Sequence, residues 1–221
     1  VATGYKALYK NTTGSYNTVY GHGSLSSNID GSENIAIGIT AIGLNKNGHA
    51  NIALGNGALS SDTLTNGQMA VGHYALYSNE AGISNVALGH VSLFYNKNGD
   101  FNTAIGYSSL YRNGTNEVNS FDASYNTALG HRSLENNTTG NANTGSGFEV
   151  MSQNTTGSGN TAQGYHALYS NTTSSYNTAM GFNALEKLNT TNQGNTAYGS
   201  YALDTLAVGQ YNTALGYDAG V

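Results

Sequence analysis

One short unit repeats along the whole chain, and this repeat limits the possible folds more than any other feature. The unit reads Asn-Thr-Ala-Leu-Gly, two variable residues, Ala-Leu and then a polar turn. Ten of the twelve spacings between successive repeat glycines are 17 residues, and the other two are 24 and 18. The thirteen repeat glycines are Gly4, Gly21, Gly38, Gly55, Gly72, Gly89, Gly106, Gly130, Gly147, Gly164, Gly181, Gly199 and Gly216. Self-similarity at a fixed period is typical of solenoids and related arrays.

The length of the repeat favours strands over helices. Helical repeats need more than about 30 residues for two helices and their turns. The segments here are short and bounded by Asn, Gly, Ser and Thr, which indicates strands joined by turns. We therefore predict an all-β fold, a parallel β-roll (β-solenoid) of about 13 coils of 17 residues with two short strands per coil, forming one domain over residues 1–221. At about 4.8 Å per coil the rod would be roughly 58 Å long.

Asparagine recurs at two places in the unit. The strand Asn column lies four residues before the repeat glycine, with Gln68 in one coil: Asn17, Asn34, Asn51, Asn85, Asn102, Asn126, Asn143, Asn160, Asn177, Asn195 and Asn212. The turn Asn column lies seven residues after it: Asn11, Asn28, Asn45, Asn79, Asn96, Asn113, Asn137, Asn154 and Asn171. Stacked amides can donate and accept along a rod, so we predict that the strand Asn column forms a structural ladder. The absence of proline fits this, because proline removes a ladder hydrogen bond.

Strand alternation predicts which side chains share a face. In the first strand, Asn, Ala and Gly would lie on one face, and the Thr-or-Ile and Leu-or-Ile columns on the other. In the second strand, Leu would point one way and the small and Tyr residues the other. Each coil would then bury about two large and two small apolar side chains. The free energy gained by this burial is small compared with the entropic cost of ordering 17 residues. We therefore predict side-by-side association of several chains.

Composition excludes several classes of protein. The chain has no Cys, which excludes a disulfide scaffold, a thiol nucleophile and a thiolate metal site. A net charge of −5 argues against nucleic-acid binding, which needs basic patches. No apolar run approaches the ~20 residues of a membrane span, so we expect no insertion in a membrane. The chain opens on Val1 rather than Met, so we expect a mature or excised piece.

Four units show the pattern most clearly: residues 102–106, 126–130, 177–181 and 212–216, which read Asn-Thr-Ala-(Ile, Leu or Met)-Gly. Stacked in this way, the units resemble the YadA-like head repeat of trimeric autotransporter adhesins and the similar repeats of trimeric phage tail fibres. The resemblance covers the whole chain, although the coil is longer than is usual in that family. It implies a left-handed, homotrimeric β-roll that is displayed on the cell surface or on a virion.

Tyrosine gives the first candidate binding surface. Tyr5, Tyr107 and Tyr165 directly follow a repeat glycine, and Tyr9, Tyr111 and Tyr169 come four residues later. With a small residue midway between them, each pair would form aromatic rails around a shallow trough, which could stack on sugar rings or peptides. Cross-coil stacking and burial between protomers are the alternatives. The second candidate is an excursion at about residues 112–124, which carries both charge signs and Phe121.

Three other patterns could indicate a more specific function. His22, His73, His90 and His131 share the column after the repeat glycine, but Tyr and Phe fill the same column, so we expect no metal and no cofactor. Glu186 and Asp204 could suit a retaining glycosidase, but we interpret them as solvated charges and expect no catalytic residues. A late threonine column is similar to ice-binding arrays, yet Ile and Met replace it earlier, so we expect an inward or interface column. It consists of Thr127, Thr144, Thr161, Thr178, Thr196 and Thr213.

These observations predict a non-catalytic, extracellular, trimeric fibre or adhesin segment that attaches to a surface or receptor. The alternatives are a phage or injection-machine tail-fibre shaft, a self-stacking filament subunit and, last, an ice-binding solenoid. The expected partners are further copies of the chain and a host or surface receptor, with a glycan as one option.

Overall fold

The structure, a computed structural model, describes residues 1–61, 64–115, 123–188, 192–206 and 208–220. Thirteen short strands form one parallel sheet in chain order, so each coil of a β-solenoid adds one strand to the rod. The described residues contain no helix, which confirms the predicted all-β solenoid. The strands β1 to β13 are Ala2–Thr3, Thr18–Tyr20, Ile35–Ile37, Ile52–Leu54, Met69–Val71, Val86–Leu88, Thr103–Ile105, Thr127–Leu129, Thr144–Ser146, Thr161–Gln163, Thr178–Met180, Thr196–Tyr198 and Thr213–Leu215.

The strand register follows the spacing of the repeat glycines. Ala36 pairs with Ala53, 17 residues on. Across the 24-residue unit Ala104 pairs with Ala128, and across the 18-residue unit Ala179 pairs with Ala197. The extra residues of the longer units therefore leave the register of the sheet unchanged.

The second strand that alternation predicted is not formed. The segment after the repeat glycine is a turn in which Tyr74 and Leu76 have φ of 54° and 51°. Left-handed residues break the two-residue period of a strand. As a result Ala75 and Leu76, which are neighbours in sequence, are both buried instead of pointing to opposite sides.

The interior of the rod is narrow. The middle residue of β2 to β13, which is Ala in most strands, faces inward, together with the residue before the Leu column, which is mostly Ala or Ser. Among the described residues, only the Leu column supplies a large buried side chain in most coils, so the prediction of two large side chains per coil was wrong. Its fully buried members are Leu25, Ile42, Leu59, Leu76, Leu93, Leu110, Leu134, Met151, Leu168 and Leu185. The Leu-or-Ile residues of the strands lie on the outside, because they flank the inward Ala.

The repeat glycine ends each strand and turns the chain. Gly55 has φ of +140°, a conformation that L residues rarely adopt. A Cβ atom placed on it would overlap the backbone carbonyl of Gly72 in the next coil. Both conditions recur along the column, which explains why glycine fills it in every coil.

Both asparagine columns are buried and hydrogen-bonded. In the strand Asn column, Asn34 Oδ1 accepts from the backbone N–H of Asn51 at 3.0 Å, and its Nδ2 donates to the Gly48 carbonyl at 2.9 Å. In the turn Asn column, Asn154 Nδ2 donates to Asn137 Oδ1 at 2.8 Å and to the Gly157 carbonyl. The turn Asn column therefore joins amide to amide through much of the rod. The strand Asn column ties side chains to the backbone of the next coil, and from Asn126 to Asn212 its amides also bond to one another at 3.0–3.2 Å, so the predicted ladder forms there.

Candidate functional site

The outer sheet face consists of the first and last residues of β2 to β13, which point away from the interior. In the early coils this face carries long apolar side chains: Ile37 is 39% exposed, Leu54 36% and Leu88 43%. Ile35 and Met69 are also exposed in the adjoining column. The parallel register aligns these side chains in two continuous columns. A contiguous exposed apolar surface of this kind is typical of an interaction site.

The late threonine column lies on the same outer sheet face. Thr127, Thr144 and Thr161 are exposed, while Thr178 and Thr196 are half-buried. The column does not face inward, because the middle residue of each of these strands, Ala or Gly145, takes the inner side. The neighbouring outer column is chemically mixed there, with Leu129, Ser146, Gln163, Met180 and Tyr198. The outer sheet face is therefore apolar in its early coils and more polar in its late ones.

The ring column comprises the aromatic and histidine residues that directly follow the repeat glycines. From His73 to Phe182 seven rings stack in consecutive coils, with centroids 5.0–5.5 Å apart and planes within 15° of parallel. The seven are His73, His90, Tyr107, His131, Phe148, Tyr165 and Phe182. Each inner ring is covered on both faces by its neighbours, so its edge is what remains toward solvent. For Tyr107 and Tyr165 the structure therefore shows cross-coil stacking.

The predicted aromatic troughs are not formed. Ser109 and Ala167, which would have been the small residues between two rails, are buried in the interior. The left-handed turn that buries them separates the ring column from the later tyrosines. Tyr111 packs edge-on against Tyr95 at 5.2 Å, and Tyr169 lies 4.6 Å from the His166 ring.

In the first coil both of the predicted tyrosines are exposed. Tyr5 stacks on His22 at 5.2 Å, and Tyr9 remains exposed with the Lys6 ammonium 6.0 Å from its ring centroid. The role of the six predicted tyrosines in binding stays a prediction.

An aromatic cluster that the sequence analysis missed lies beside Tyr111. It comprises Tyr74, Tyr77, Phe94, Tyr95 and Tyr111, in which Phe94 stacks on Tyr77 at 5.1 Å and meets Tyr95 edge-on at 4.6 Å. Burial raises the pKa of Tyr111 above its ordinary value, and a hydrogen bond with Tyr95 raises it further. The signal was present in the sequence, because Tyr77, Phe94 and Tyr111 occupy one column of the repeat.

A shallow hollow opens next to this aromatic cluster. Tyr95, Lys97, Arg112 and Thr115 line it. Arg112 is exposed, and Lys97 Nζ lies 3.7 Å from Glu80 Oε1. The hollow thus combines an aromatic ring, two cationic side chains and a hydroxyl group.

A row of charged side chains continues along the later coils. Arg132 Nε lies 3.1 Å from Glu135 Oε1, and its Nη1 lies 3.4 Å from Glu149 Oε1. The Glu135 carboxylate is the main cause of the raised pKa of the Arg132 guanidinium. His166 Nε2 lies 3.1 Å from Glu149 Oε2, and its Nδ1 lies 3.9 Å from Glu186 Oε1. This row links four coils by ionic and polar contacts.

The two acidic residues of the candidate glycosidase pair, Glu186 and Asp204, lie in different surroundings. Glu186 accepts a hydrogen bond from Asn183 Nδ2 at 2.9 Å and faces His166. Asp204 Oδ1 is buried without a hydrogen-bond partner in the described part of the chain. Neither carboxylate lines the hollow described above.

The predicted excursion falls largely outside the described residues, and Phe121 is among those not described. The two ends of the excursion are joined by a hydrogen bond, in which Asn113 Nδ2 donates to the Ala123 carbonyl at 2.7 Å. Asn113 Nδ2 also donates to Asn96 Oδ1 at 2.7 Å. Asn113 therefore keeps the turn Asn column continuous where the extra residues begin.

The described residues contain no group of three or more His, Asp or Glu side chains arranged to hold a metal ion. In the same residues no helix has the length and apolar character needed to cross a membrane. Comparisons with family models, curated proteins and solved structures found no match to this chain. The resemblance to the YadA-like head repeat therefore stays a prediction.

Proposed function

We propose that this chain is a non-catalytic segment of an extracellular, homotrimeric, left-handed fibre that attaches to a surface or receptor. The single observation that carries the proposal is the apolar outer sheet face of the early coils, with Ile37, Leu54 and Leu88 exposed. Three copies would pack these faces together. The turn faces of each rod, with the ring column and the aromatic cluster, would point outward.

The narrow interior supports this arrangement. Because one Leu-column residue per coil is the main large buried side chain, a single rod buries little apolar surface. Covering the outer sheet face removes further apolar area from water at about 25 cal/mol per Å². The same association would shield the only sheet of the described residues, whose outer face otherwise meets solvent.

The mechanism is mechanical and multivalent. Hydrogen bonds between successive coils make a continuous rod, and a repeated surface can offer the same weak contact many times. Three identical chains triple each contact without a new site, so avidity supplies the strength of attachment. The resemblance to adhesin and tail-fibre repeats agrees with this use. A tail-fibre shaft is the alternative with the same architecture.

A paired substitution tests the interface. We expect Leu54→Lys with Leu88→Lys to place three copies of each charge in an apolar interface and so to give monomers, measured by light scattering coupled to size exclusion. Leu44→Lys is the matched control, because Leu44 is 52% exposed but lies in the turn outside the sheet, and it should leave the mass unchanged. A doubly substituted protein that keeps the wild-type trimer mass would contradict the proposed interface.

The outward threonine column favours one second candidate, a monomeric ice-binding solenoid. Such a protein needs its threonine face open to solvent, whereas the trimer covers it. Thermal hysteresis of the wild-type protein, lost on Thr144→Lys and retained on Leu44→Lys, would support ice binding. Absence of hysteresis together with a trimer mass is the result expected from the fibre.

A further inference from the structure

The hollow beside the aromatic cluster has the composition of a small ligand site. Ligand sites are concave surfaces in which a few placed polar groups accompany apolar and aromatic side chains. Here Tyr95 is exposed at the edge of the aromatic cluster, and Lys97, Arg112 and Thr115 also line the hollow. All four residues lie outside the strands, so the outer sheet face and the hollow are separate surfaces.

The positive charge in this hollow is concentrated. The chain contains 7 Lys and Arg residues in all, and two of them line this one hollow. Arg112 forms no ion pair or side-chain hydrogen bond within the described part of the chain, whereas Arg132 is held by Glu135 and Glu149. Lys97 is already near Glu80, so Arg112 is the principal anchor for an anion.

We propose that this hollow binds a carboxylated saccharide. The Arg112 guanidinium would take the carboxylate through paired hydrogen bonds, for which its planar fork is suited. The Tyr95 side chain would pack against the sugar, since tyrosine combines an apolar ring with a polar tip. Lys97 and the Thr115 hydroxyl would donate to the remaining sugar oxygens. The inference rests on the proposed function, because it names the receptor chemistry that an attachment fibre would recognise.

The surroundings favour a sugar acid over a nucleic acid. A polyanion needs an extended basic surface, and this chain has a net charge of −5 with a single pair of cations in the hollow. One carboxylate matches one principal cation. The weak affinity of a single small site is what a multivalent fibre uses, because each chain of a trimer would present one copy.

Saccharide titration of the intact protein tests the proposal. The probes are trigalacturonic acid and 3′-sialyllactose, with maltotriose and lactose as their neutral counterparts, followed by isothermal titration and saturation-transfer NMR. We expect at least one acidic probe to bind about tenfold or more tightly than its neutral counterpart, because a charge-assisted contact is lost without the carboxylate. Arg112→Gln and Tyr95→Ala should each weaken binding of that probe about tenfold.

Arg132→Gln is the matched control, because it removes an arginine of the same turn surface that does not line the hollow, and it should leave the affinity unchanged. Three results would each overturn the proposal: no binding of either acidic probe at millimolar concentration, equal affinity for acidic and neutral probes, or unchanged affinity in Arg112→Gln.

Light scattering on the same samples separates this inference from the proposed function, since the hollow is built within one chain. A monomer that binds the acidic probe through Arg112 overturns the trimer and supports the saccharide site. A trimer that binds neither acidic probe overturns the site and supports the trimer.

Discussion

At the scale of single residues, left-handed backbone recurs at fixed places in every coil. Ile42 and Leu59 in the Leu column have φ of 50° and 51°, and Ala142 before the strand has φ of 55°. Such a conformation costs an L residue roughly 1–2 kcal/mol relative to its preferred backbone. Local preference therefore opposes the coil, and it must be offset by burial of the Leu column and by hydrogen bonds between coils.

The residue that precedes the strand Asn column offers a direct test of this strain. We expect Ala142→Gly to raise the free energy of unfolding by up to about 1 kcal/mol, because relief of strain exceeds the entropic cost of glycine. Glycine already occupies this column at Gly159 and Gly194 with φ of 67° and 70°. Chemical denaturation measures the change. The control Ala53→Gly removes a buried methyl group from a strand and should destabilise; an equal loss in Ala142→Gly would contradict the strain.

The repeat glycine should tolerate no side chain. Gly55→Ala is expected to lower the free energy of unfolding by about 3 kcal/mol, because its Cβ meets the Gly72 carbonyl and its φ is positive. Gly43→Ala is the matched control: its φ is ordinary, and the nearest atom to its Cβ is 3.2 Å away. Similar denaturation midpoints for the two variants would show that the close approach of the coils is not what selects glycine.

Tyr111 should ionise at a higher pH than an ordinary tyrosine. Burial and the hydrogen bond with Tyr95 raise its pKa above the ordinary 10.0. The stability linked to neutral Tyr111 is therefore present below pH 10.0 and is lost as the pH rises through the higher folded pKa. Carbon NMR of labelled tyrosine side chains measures this, and Tyr95→Phe should shift the Tyr111 transition to lower pH. A transition that Tyr95→Phe leaves in place would argue against the hydrogen bond as a cause.

At the scale of elements, the coils are joined by columns of chemically similar side chains rather than by a broad core. The turn Asn column passes a hydrogen bond from Asn171 to Asn154 and from Asn154 to Asn137, at 2.8 Å each. The ring column runs in parallel on the outside through seven coils, from His73 to Phe182. The contacts within each column form only when the adjacent coil is folded. Folding is therefore cooperative along the length of the rod.

Removal of one amide from the buried column should be costly. Asn154→Ala deletes the donor to Asn137 Oδ1 and to the Gly157 carbonyl, and it also deletes the acceptor for Asn171. Buried groups left without partners cost about 1–3 kcal/mol each, so we expect a loss of about 3 kcal/mol in the free energy of unfolding. The exposed Asn47→Ala should change it by less than about 0.5 kcal/mol. Equal, small effects would show that the column is not a stabilising ladder.

At the scale of the whole molecule, the spacing of the repeat glycines was sufficient to predict the solenoid and its register. Equal spacing aligns Ala36 with Ala53, and the longer unit still aligns Ala104 with Ala128. The turn after the glycine was not predictable from residue types, because Leu59 adopts a backbone that Leu disfavours in isolation. The predicted strand placed Ala and Ser on the surface between the tyrosines, whereas the turn buries them, so the predicted trough is not formed.

The hollow was missed for a related reason. Arg112 was assigned to the excursion, and Tyr95 follows the column of Tyr77, Phe94 and Tyr111 by one residue. In an alternating strand the Tyr95 and Arg112 side chains would point to the face opposite that column. In the left-handed turn they lie beside it, which brings a cation and the aromatic cluster together.

The apolar outer sheet face would be covered if three chains associated, so the trimer is the central claim about the whole molecule. The measurement that tests it most directly is the solution mass of the wild-type protein by light scattering coupled to size exclusion. A mass near three times 22.9 kDa is the predicted result. A folded species of 22.9 kDa would contradict the trimer and would leave the apolar residues of the outer sheet face exposed to water.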